Sequence, residues 1–513
     1  MAVMKDKKIK KRRILLINPP YERLKGLSVE SIPLGLLYIA TALDRLGHKA
    51  IVYDADTDFE GGVTAYTNTN RARSQYIYRR ALEDRTHRAW LDLRALLEEY
   101  RPDVVGVTVM TPTYSSSIKV FEMARSILPD SILIAGGPHV TITGAKIMEK
   151  NSFIDYAFTG EAEETVPLFL RSLWEEGPRI DRIKGIIYRE NGGVRDTGRA
   201  PRIEDLNTLP YPDRSLLYRS EAYSRGRLSL MVASRGCPFN CAFCASVPLW
   251  ERKVRMRSPQ NILGEIEYLV ERFGVRSFGF WDDTFTSSKS AIMEFSALLR
   301  DKYGSSLKWD CLTNVNCIDR ELLGALKKVG CNRIRIGVES GSDHILKRIR
   351  KGITTESVMK AARLIKRQGL WLHAYFMVGI PYETEADIRQ TMDFIRRLRP
   401  DSLNLCTFTP YPGTELYEYV LQNKLMPGDY DYSMYDSMGH HSTDSFFMTR
   451  IDRRRYSLLL DEVLDLATDV TGRLTFRKIL LKSKMATPDK VARTMKRRFK
   501  RLMSHKRRLR KAR

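Results

Sequence analysis

Cysteine is scarce in this chain of 513 residues, at seven, and none precedes Cys237. Three of the seven crowd together as Cys237, Cys241 and Cys244, while Cys311, Cys317, Cys331 and Cys406 lie scattered. No disulfide framework is laid out, and a reducing cytoplasm is the expected home. Long apolar runs are absent as well: the stretch from Ile32 to Leu43 falls well short of the roughly 20 residues that cross a bilayer. The basic start, Lys5 to Arg13, is followed only by Ile14-Leu15-Leu16-Ile17 before Asn18-Pro19-Pro20, too short for the apolar part of a secretion signal. Neither a membrane span nor export is expected.

Acidic residues are in deficit, 61 against 86 Lys and Arg, for a net charge of +25. The excess belongs to the ends, since residues 5–13 carry +6 and residues 473–513 carry +17, leaving +2 for everything between. Val491, Met495, Phe499 and Leu502 recur at helical spacing among lysines and arginines. That is the pattern of a basic amphipathic helix suited to an anionic membrane surface, so peripheral contact with the inner face of the membrane is expected. A merely solvated tail is the plainer alternative. A nucleic-acid-binding protein is a reading of another class, but Phe476, Met495 and Phe499 are its few stacking or apolar candidates and no recognition module is visible. No nucleic acid is expected as a partner.

What the chain does have is alternation. Apolar strand signals at Arg13 to Asn18, Ala50 to Tyr53, Val104 to Val109, Ile132 to Ala135 and Tyr156 to Thr159 are separated by helix-like segments, which predicts a parallel, doubly wound α/β sheet. Residues 59–100 read as an insertion, and residues 171–225, with Leu209-Pro-Tyr-Pro-Asp-Arg-Ser, as an extended connector and hinge. From Leu228 six further strand–helix units follow, up to Ser402 to Phe408, which predicts an open, partial β/α barrel with its chemistry at the carboxyl-end face.

Arg235-Gly-Cys-Pro-Phe-Asn-Cys-Ala-Phe-Cys244 directly follows the first of these strands. Three thiolates on one short loop can hold three corners of a 4Fe-4S cluster and leave the fourth iron open to a ligand that is not protein. A tetrahedral zinc site would want a fourth Cys or His nearby, and the next His is His344. Three incidental buried cysteines are the remaining alternative.

This loop and the units around it, about Leu228 to Glu415, resemble the radical S-adenosylmethionine (SAM) superfamily. The resemblance implies that Cys237, Cys241 and Cys244 bind the cluster, that SAM chelates its open iron, and that Phe243 packs on adenine. It further implies that Asp283, with Asp282 as understudy, meets the SAM ammonium, that Glu339 accepts from the ribose, and that Gly379 and Pro381 present backbone to adenine. Capping of the helix starting near Ser287 is the competing role for the two aspartates. Upstream, Pro33-Leu-Gly-Leu-Leu-Tyr38, Ala135-Gly-Gly-Pro-His139 and Thr159-Gly-Glu-Ala-Glu-Glu164 resemble the cobalamin-binding domain that precedes many such barrels. Gly136, Gly137, His139, Gly160 and Glu161 are the residues it would bring to the cofactor, although His139 could equally be a satisfied loop residue. The Asp-x-His-x-x-Gly motif that supplies a histidine to cobalt elsewhere is absent from Asn18 to Gly26, and a sheet of this type can also lose its cofactor.

The expected architecture is a Rossmann-like cobalamin-binding domain (12–170), a linker (171–225), a partial (β/α)6 radical SAM barrel (226–420) and a basic helical carboxyl-terminal region (421–513). The expected function is radical methylation of an unactivated carbon in a small, lipophilic metabolite, with a flavodoxin- or ferredoxin-like electron donor. Oxidative ring closure on a tetrapyrrole-like substrate, as in the anaerobic magnesium-protoporphyrin monomethyl ester cyclase, is the alternative.

Overall fold

The computed structural model describes residues 11–483 apart from 28, 30, 61–67, 175–177, 428–429 and 439–444; the side chains of 68–74 and 471–483 are not among those described. The basic helix expected around Val491, Met495, Phe499 and Leu502 lies outside the described residues, as do residues 5–10.

Apolar runs that alternate with helices fold as parallel strands because a crossover must cover each face of the sheet. Here β1 (Arg13–Asn18), β2 (Lys49–Asp54), β3 (Val104–Thr108), β4 (Ile132–Gly136) and β5 (Tyr156–Phe158) pair in parallel in the order β2-β1-β3-β4-β5. The order reverses between β1 and β3, which opens a crevice beyond their carboxyl ends. Residues 59–100 turn out to contain the β2-to-β3 crossover, with helices Asn68–Glu83 and Arg88–Tyr100.

The segment 171–225 departs from its reading as a hinge. β6 (Ile186–Glu190) and β7 (Gly193–Asp196) form a hairpin that extends the first sheet antiparallel from β5. Its turn is Asn191-Gly192, both at positive φ (50° and 79°), the two-residue geometry whose twist suits paired strands. Further on, Leu217 bridges Val52, and the Tyr218 amide donates to the Val52 carbonyl at 2.8 Å. The connector is therefore bound along both edges of the sheet.

The second sheet matches its expectation: β8 (Leu230–Met231), β11 (Ser277–Phe280), β12 (Lys308–Thr313), β13 (Cys331–Glu339), β14 (Trp371–Val378) and β15 (Ser402–Thr407) lie parallel in the order β15-β14-β13-β12-β11-β8. A short antiparallel ribbon of β9 (Ser234–Arg235) and β10 (Arg255–Met256) brackets the cysteine loop. The crossover helices Pro259–Phe273, Lys289–Tyr303, Arg320–Lys328, Thr355–Arg367 and Glu385–Leu398 start at side-chain caps, Ser258, Ser288, Asp319, Thr354 and Thr384, each accepting from a first-turn N–H. The barrel core is aromatic, with Phe280 stacked on Phe285 at 4.2 Å beside buried Trp309. Behind it a buried trio of ions holds the connector: Glu265 pairs with Arg214 at 2.7 Å and with Arg257. Along the last helix, Arg453–Ser483, buried Tyr456, Leu459, Leu460, Val463 and Ala467 recur at helical spacing as one packed face.

Candidate cofactor site at the carboxyl ends of two sheets

A cavity of about 480 Å³ opens where the carboxyl ends of β1, β3, β4 and β5 meet those of β8 and β11. Leu34, Met110, Gly136, Gly160, Trp250 and Trp281 are among its lining. Met110 and Trp281 are about half exposed, at 46% and 51%, so two large apolar side chains face the opening without protein cover. At Gly137 (φ 100°) a Cβ would stand 2.7 Å from the Thr108 hydroxyl, so only glycine closes this turn. At Gly136 a Cβ would meet nothing closer than 4.0 Å, so this backbone lies open to the cavity. A bare backbone edge, an open crevice and uncovered apolar side chains fit a large planar cofactor such as a corrin.

The cysteine loop borders the cavity through Gly236, Leu249 and Trp250, while its three cysteines are not among the lining residues. Its first residue, Gly236, has φ 96°, and a Cβ there would fall 2.0 Å from the Lys253 carbonyl, so the two ends of the loop touch. Cys237 Sγ lies 3.4 Å from the Thr284 hydroxyl. The Ala242 amide donates to the Ile349 carbonyl at 2.9 Å, and the Ala242 carbonyl accepts from Leu416, which pins the loop between the second and third thiols. Burial pushes the Cys241 thiol up and that of Cys244 up to about 12, against the pull of the Lys351 ammonium. Among the described residues no three His, Cys, Asp or Glu side chains converge on a single metal ion. Three thiols on a short loop with no fourth ligand suit the corners of a cubane better than a mononuclear zinc.

Lys351 escaped the sequence reading. It pairs with Glu339 at 2.7 Å and lies 5.7 Å from the Phe243 ring, so Glu339, Phe243, Cys241 and Cys244 gather about one buried cation. Glu339 takes φ 69° where β13 shifts register against β14, a conformation that costs of order 1–3 kcal/mol outside glycine. Neither aspartate caps the helix Lys289–Tyr303, which Ser288 does. Asp282 is buried and accepts from the Ala233 amide at 3.1 Å and the Ser234 hydroxyl at 2.5 Å; burial raises it to about 6. Asp283 faces the cavity and accepts from Ser246 at 2.6 Å.

Three expectations come out otherwise. His139 does not line the cavity: it is buried, Nδ1 is 3.0 Å from the Thr111 hydroxyl, and the ring stands edge-on to Tyr432 at 4.4 Å, with burial lowering it to about 4. Glu161 lines the cavity, but its carboxylate is taken up by Arg235 and Arg255. The turn Gly379-Ile-Pro381 is backed by protein, for both N–H groups of Gly379 and Ile380 donate to Glu383 (2.7 and 3.0 Å), and Thr449 donates to the Pro381 carbonyl.

Burial raises Glu383 from 4.5 to about 8, with those two N–H donors opposing. The folded state therefore holds a proton that the unfolded chain has released between those values. Stability should fall as pH rises through that window, by up to about 1.4 kcal/mol per pH unit. Asp282 and Asp56, also raised by burial, add the same sign of slope at the lower end, so denaturant midpoints across the window should fall less steeply in Glu383→Gln than in the wild type; parallel slopes would contradict it.

Residues 231–395 match the model of the radical SAM superfamily, and residues 75–170 that of the B12 binding domain. The chain is 30% identical over 424 residues to the uncharacterized methyltransferase PH0819 of Pyrococcus horikoshii, covering 82% of this chain and 85% of that protein. It belongs to the cobalamin-binding radical SAM enzymes. The cofactors of this radical SAM enzyme are accordingly a 4Fe-4S cluster, SAM and cobalamin. The anaerobic magnesium-protoporphyrin IX monomethyl ester cyclase of Cereibacter sphaeroides is 28% identical over 348 residues, 66% of this chain and 56% of that one. Among solved structures, the radical SAM methyltransferase TsrM of Kitasatospora setae, with cobalamin and [4Fe-4S] cluster bound, shares the fold at a TM-score of 0.62 and 18% identity, over 81% of this chain and 75% of that one.

Met110, Trp281 and Arg235 are the further residues of this site that sequence reasoning passed over. Met110 and Trp281 lie just beyond strand ends, half exposed without a packing reason to be there, and Arg235 sits beside the thiol loop, paired with Glu161 and Glu163.

Proposed function

We propose that this enzyme methylates an unactivated carbon of a small molecule, with Cys237, Cys241 and Cys244 binding the cluster and the cavity between the sheets holding cobalamin. When bound, the cluster supplies the electron that cleaves SAM to a 5′-deoxyadenosyl radical, and cobalamin supplies the methyl group. Lys351 and Glu339 set the charge beside the loop, and Asp282 holds Ala233 and Ser234 so that the loop leaves β8 in one direction. Asp283 and Trp281 border the cavity from the barrel side and are the groups we assign to SAM and substrate. The single observation that carries the reading is the crevice bordered on one side by Gly236, Leu249 and Trp250 of the cysteine loop and on the other by the bare backbone of Gly136, with the three thiols just behind that border and outside the lining itself.

Methyl transfer is supported by the names of two relatives, PH0819 and the cytidylyl-2-hydroxyethylphosphonate methyltransferase of Streptomyces wedmorensis. Ring closure draws support from the cyclase likeness. Anaerobic reconstitution with iron, sulfide and cobalamin, then SAM and a reductant, tests the core of the proposal through 5′-deoxyadenosine. With candidate lipophilic substrates, a product heavier by CH2 supports methylation and one lighter by hydrogen the cyclase.

We expect Gly136→Leu to prevent cobalamin retention while leaving the melting temperature within about 2 °C, because the added atoms enter open space and not the core. Co-purified cobalamin measured by absorbance is the check, and retention at wild-type level would remove this backbone from the site. An external electron donor and, through the basic tail, an anionic membrane surface are the partners proposed. No described helix is long and apolar enough to cross a membrane. Pelleting with anionic liposomes in low and high salt tests the tail; equal binding by a chain ending before Arg473 would defeat that part.

A further inference from the structure

The ribbon of β9 and β10 pairs Arg235 with Arg255, one at each end of the loop that carries the three cysteines. Both arginines grip the same carboxylate on the other sheet. Arg255 reaches Glu161 at 2.6 and 3.2 Å, Arg235 forks over Glu161 and Glu163, and the Ile203 amide donates to Glu161 at 2.9 Å. All four side chains are nearly buried, 5–12% exposed, and two cations face two anions, so the group is neutral as a whole. Gly160 (φ 90°) lets the backbone pass close to Ala200 and delivers Glu161 to this point. Charge-assisted bonds from planar guanidinium forks fix direction as well as distance, unlike a single apolar contact.

We propose that Glu161, seconded by Glu163, is a positioning residue that rivets both ends of the cysteine loop to the first sheet and so sets the separation of the cluster site from the cobalamin site. The inference rests on the cofactor assignment above. Steps that use both cofactors are sensitive to that separation, since a misplacement of about 1 Å can cost on the order of 100-fold. Arg199 and Arg202, on the segment after β7, also bond Pro248, Leu249 and Glu251 within the loop, but among the described residues Glu161 alone bonds both of its ends, so loosening Glu161 shifts the loop without emptying either site.

The test uses the full chain loaded with cluster and cobalamin, with cobalt as Co(II). Progressive power saturation of its electron spin resonance, with the cluster oxidised and then reduced, reads how strongly the reduced cluster speeds the relaxation of the cobalt spin. In Glu161→Gln the enhancement should fall several-fold at unchanged iron, sulfide and cobalamin content, and in Glu163→Gln by less, because Glu161 still holds both arginines. Asp155→Asn, which weakens an ion pair with Arg125 at the opposite end of β5 from Glu161, serves as the control for general loosening of this sheet and should leave the enhancement unchanged. An enhancement equal to wild type in Glu161→Gln, with both cofactors fully loaded, overturns the proposal. Should Glu161→Gln not fold, Glu161→Asp, which keeps the charge and shortens its reach by one methylene, decides by the same criterion. A wild-type protein that assembles no cluster at all strikes the cysteine assignment instead, which separates the two failures.

Discussion

Alanine at any one of Cys237, Cys241 or Cys244 is expected to abolish 5′-deoxyadenosine formation, while alanine at Cys311, Cys331 or Cys406 leaves it within about threefold of wild type. The thiols of Cys241 and Cys244 sit where burial favours their neutral form, and Lys351 is the cation that faces them. Such groups become thiolates only when metal takes the proton's place, so each contributes one ligand of the three on this loop. Cys311 and Cys331 instead lie fully buried on adjacent strands as small apolar residues. Cys317 is the stringent control, because its thiol lies close enough to Cys237 to feel its charge. Iron and sulfide content, visible absorbance and chromatographic deoxyadenosine after anaerobic reconstitution make the comparison. Undiminished deoxyadenosine from a single alanine variant at 237, 241 or 244 would break the assignment.

What could be read beforehand was whatever is local along the chain. Helix Pro259–Phe273 is legible in the sequence because Ser258 caps one end and Gly274, at φ 63°, stops the other, both visible as residue types. The thiol loop is equally local. Asn191-Gly192 is itself a local hairpin signal, a residue pair that tolerates positive φ at both positions, although the reading of this segment as a connector rests on the prolines downstream. The rest is written in space. Arg235 and Glu161 are 74 residues apart, and nothing in either segment announces the pair. His139 was read toward the cofactor because it follows two glycines. The Gly137 turn starts the helix Pro138–Thr143 there, and the imidazole packs back against Thr111 and Tyr432. Glu339 lay at an expected strand end, but its partner Lys351 comes from a separate turn twelve residues on.

Glu265→Leu should be among the most destabilising single changes in this protein, at about 3–5 kcal/mol, and should cost more than Arg214→Met. Glu265 is wholly buried between Arg214 and Arg257; burial alone would raise its pKa, yet the two guanidinium groups hold it below the usual carboxylate range. Leucine would leave two buried cations facing each other with no anion between them. Methionine at 214 would leave the Arg257–Glu265 pair, which is neutral, and lose the bonds to the carbonyls of Leu228, Pro212 and Leu230. The Leu228 and Leu230 carbonyls lie at the start of β8, so Arg214→Met should loosen the strand that feeds the thiol loop even where it spares stability. A folded pKa below the unfolded one means that the carboxylate's contribution is present above about pH 4.5 and lost as pH falls. The difference between Glu265→Leu and wild type should therefore shrink on acidification. Denaturant midpoints at neutral and acid pH measure both effects, and a smaller loss in Glu265→Leu than in Arg214→Met would show that geometry, not charge balance, governs this trio.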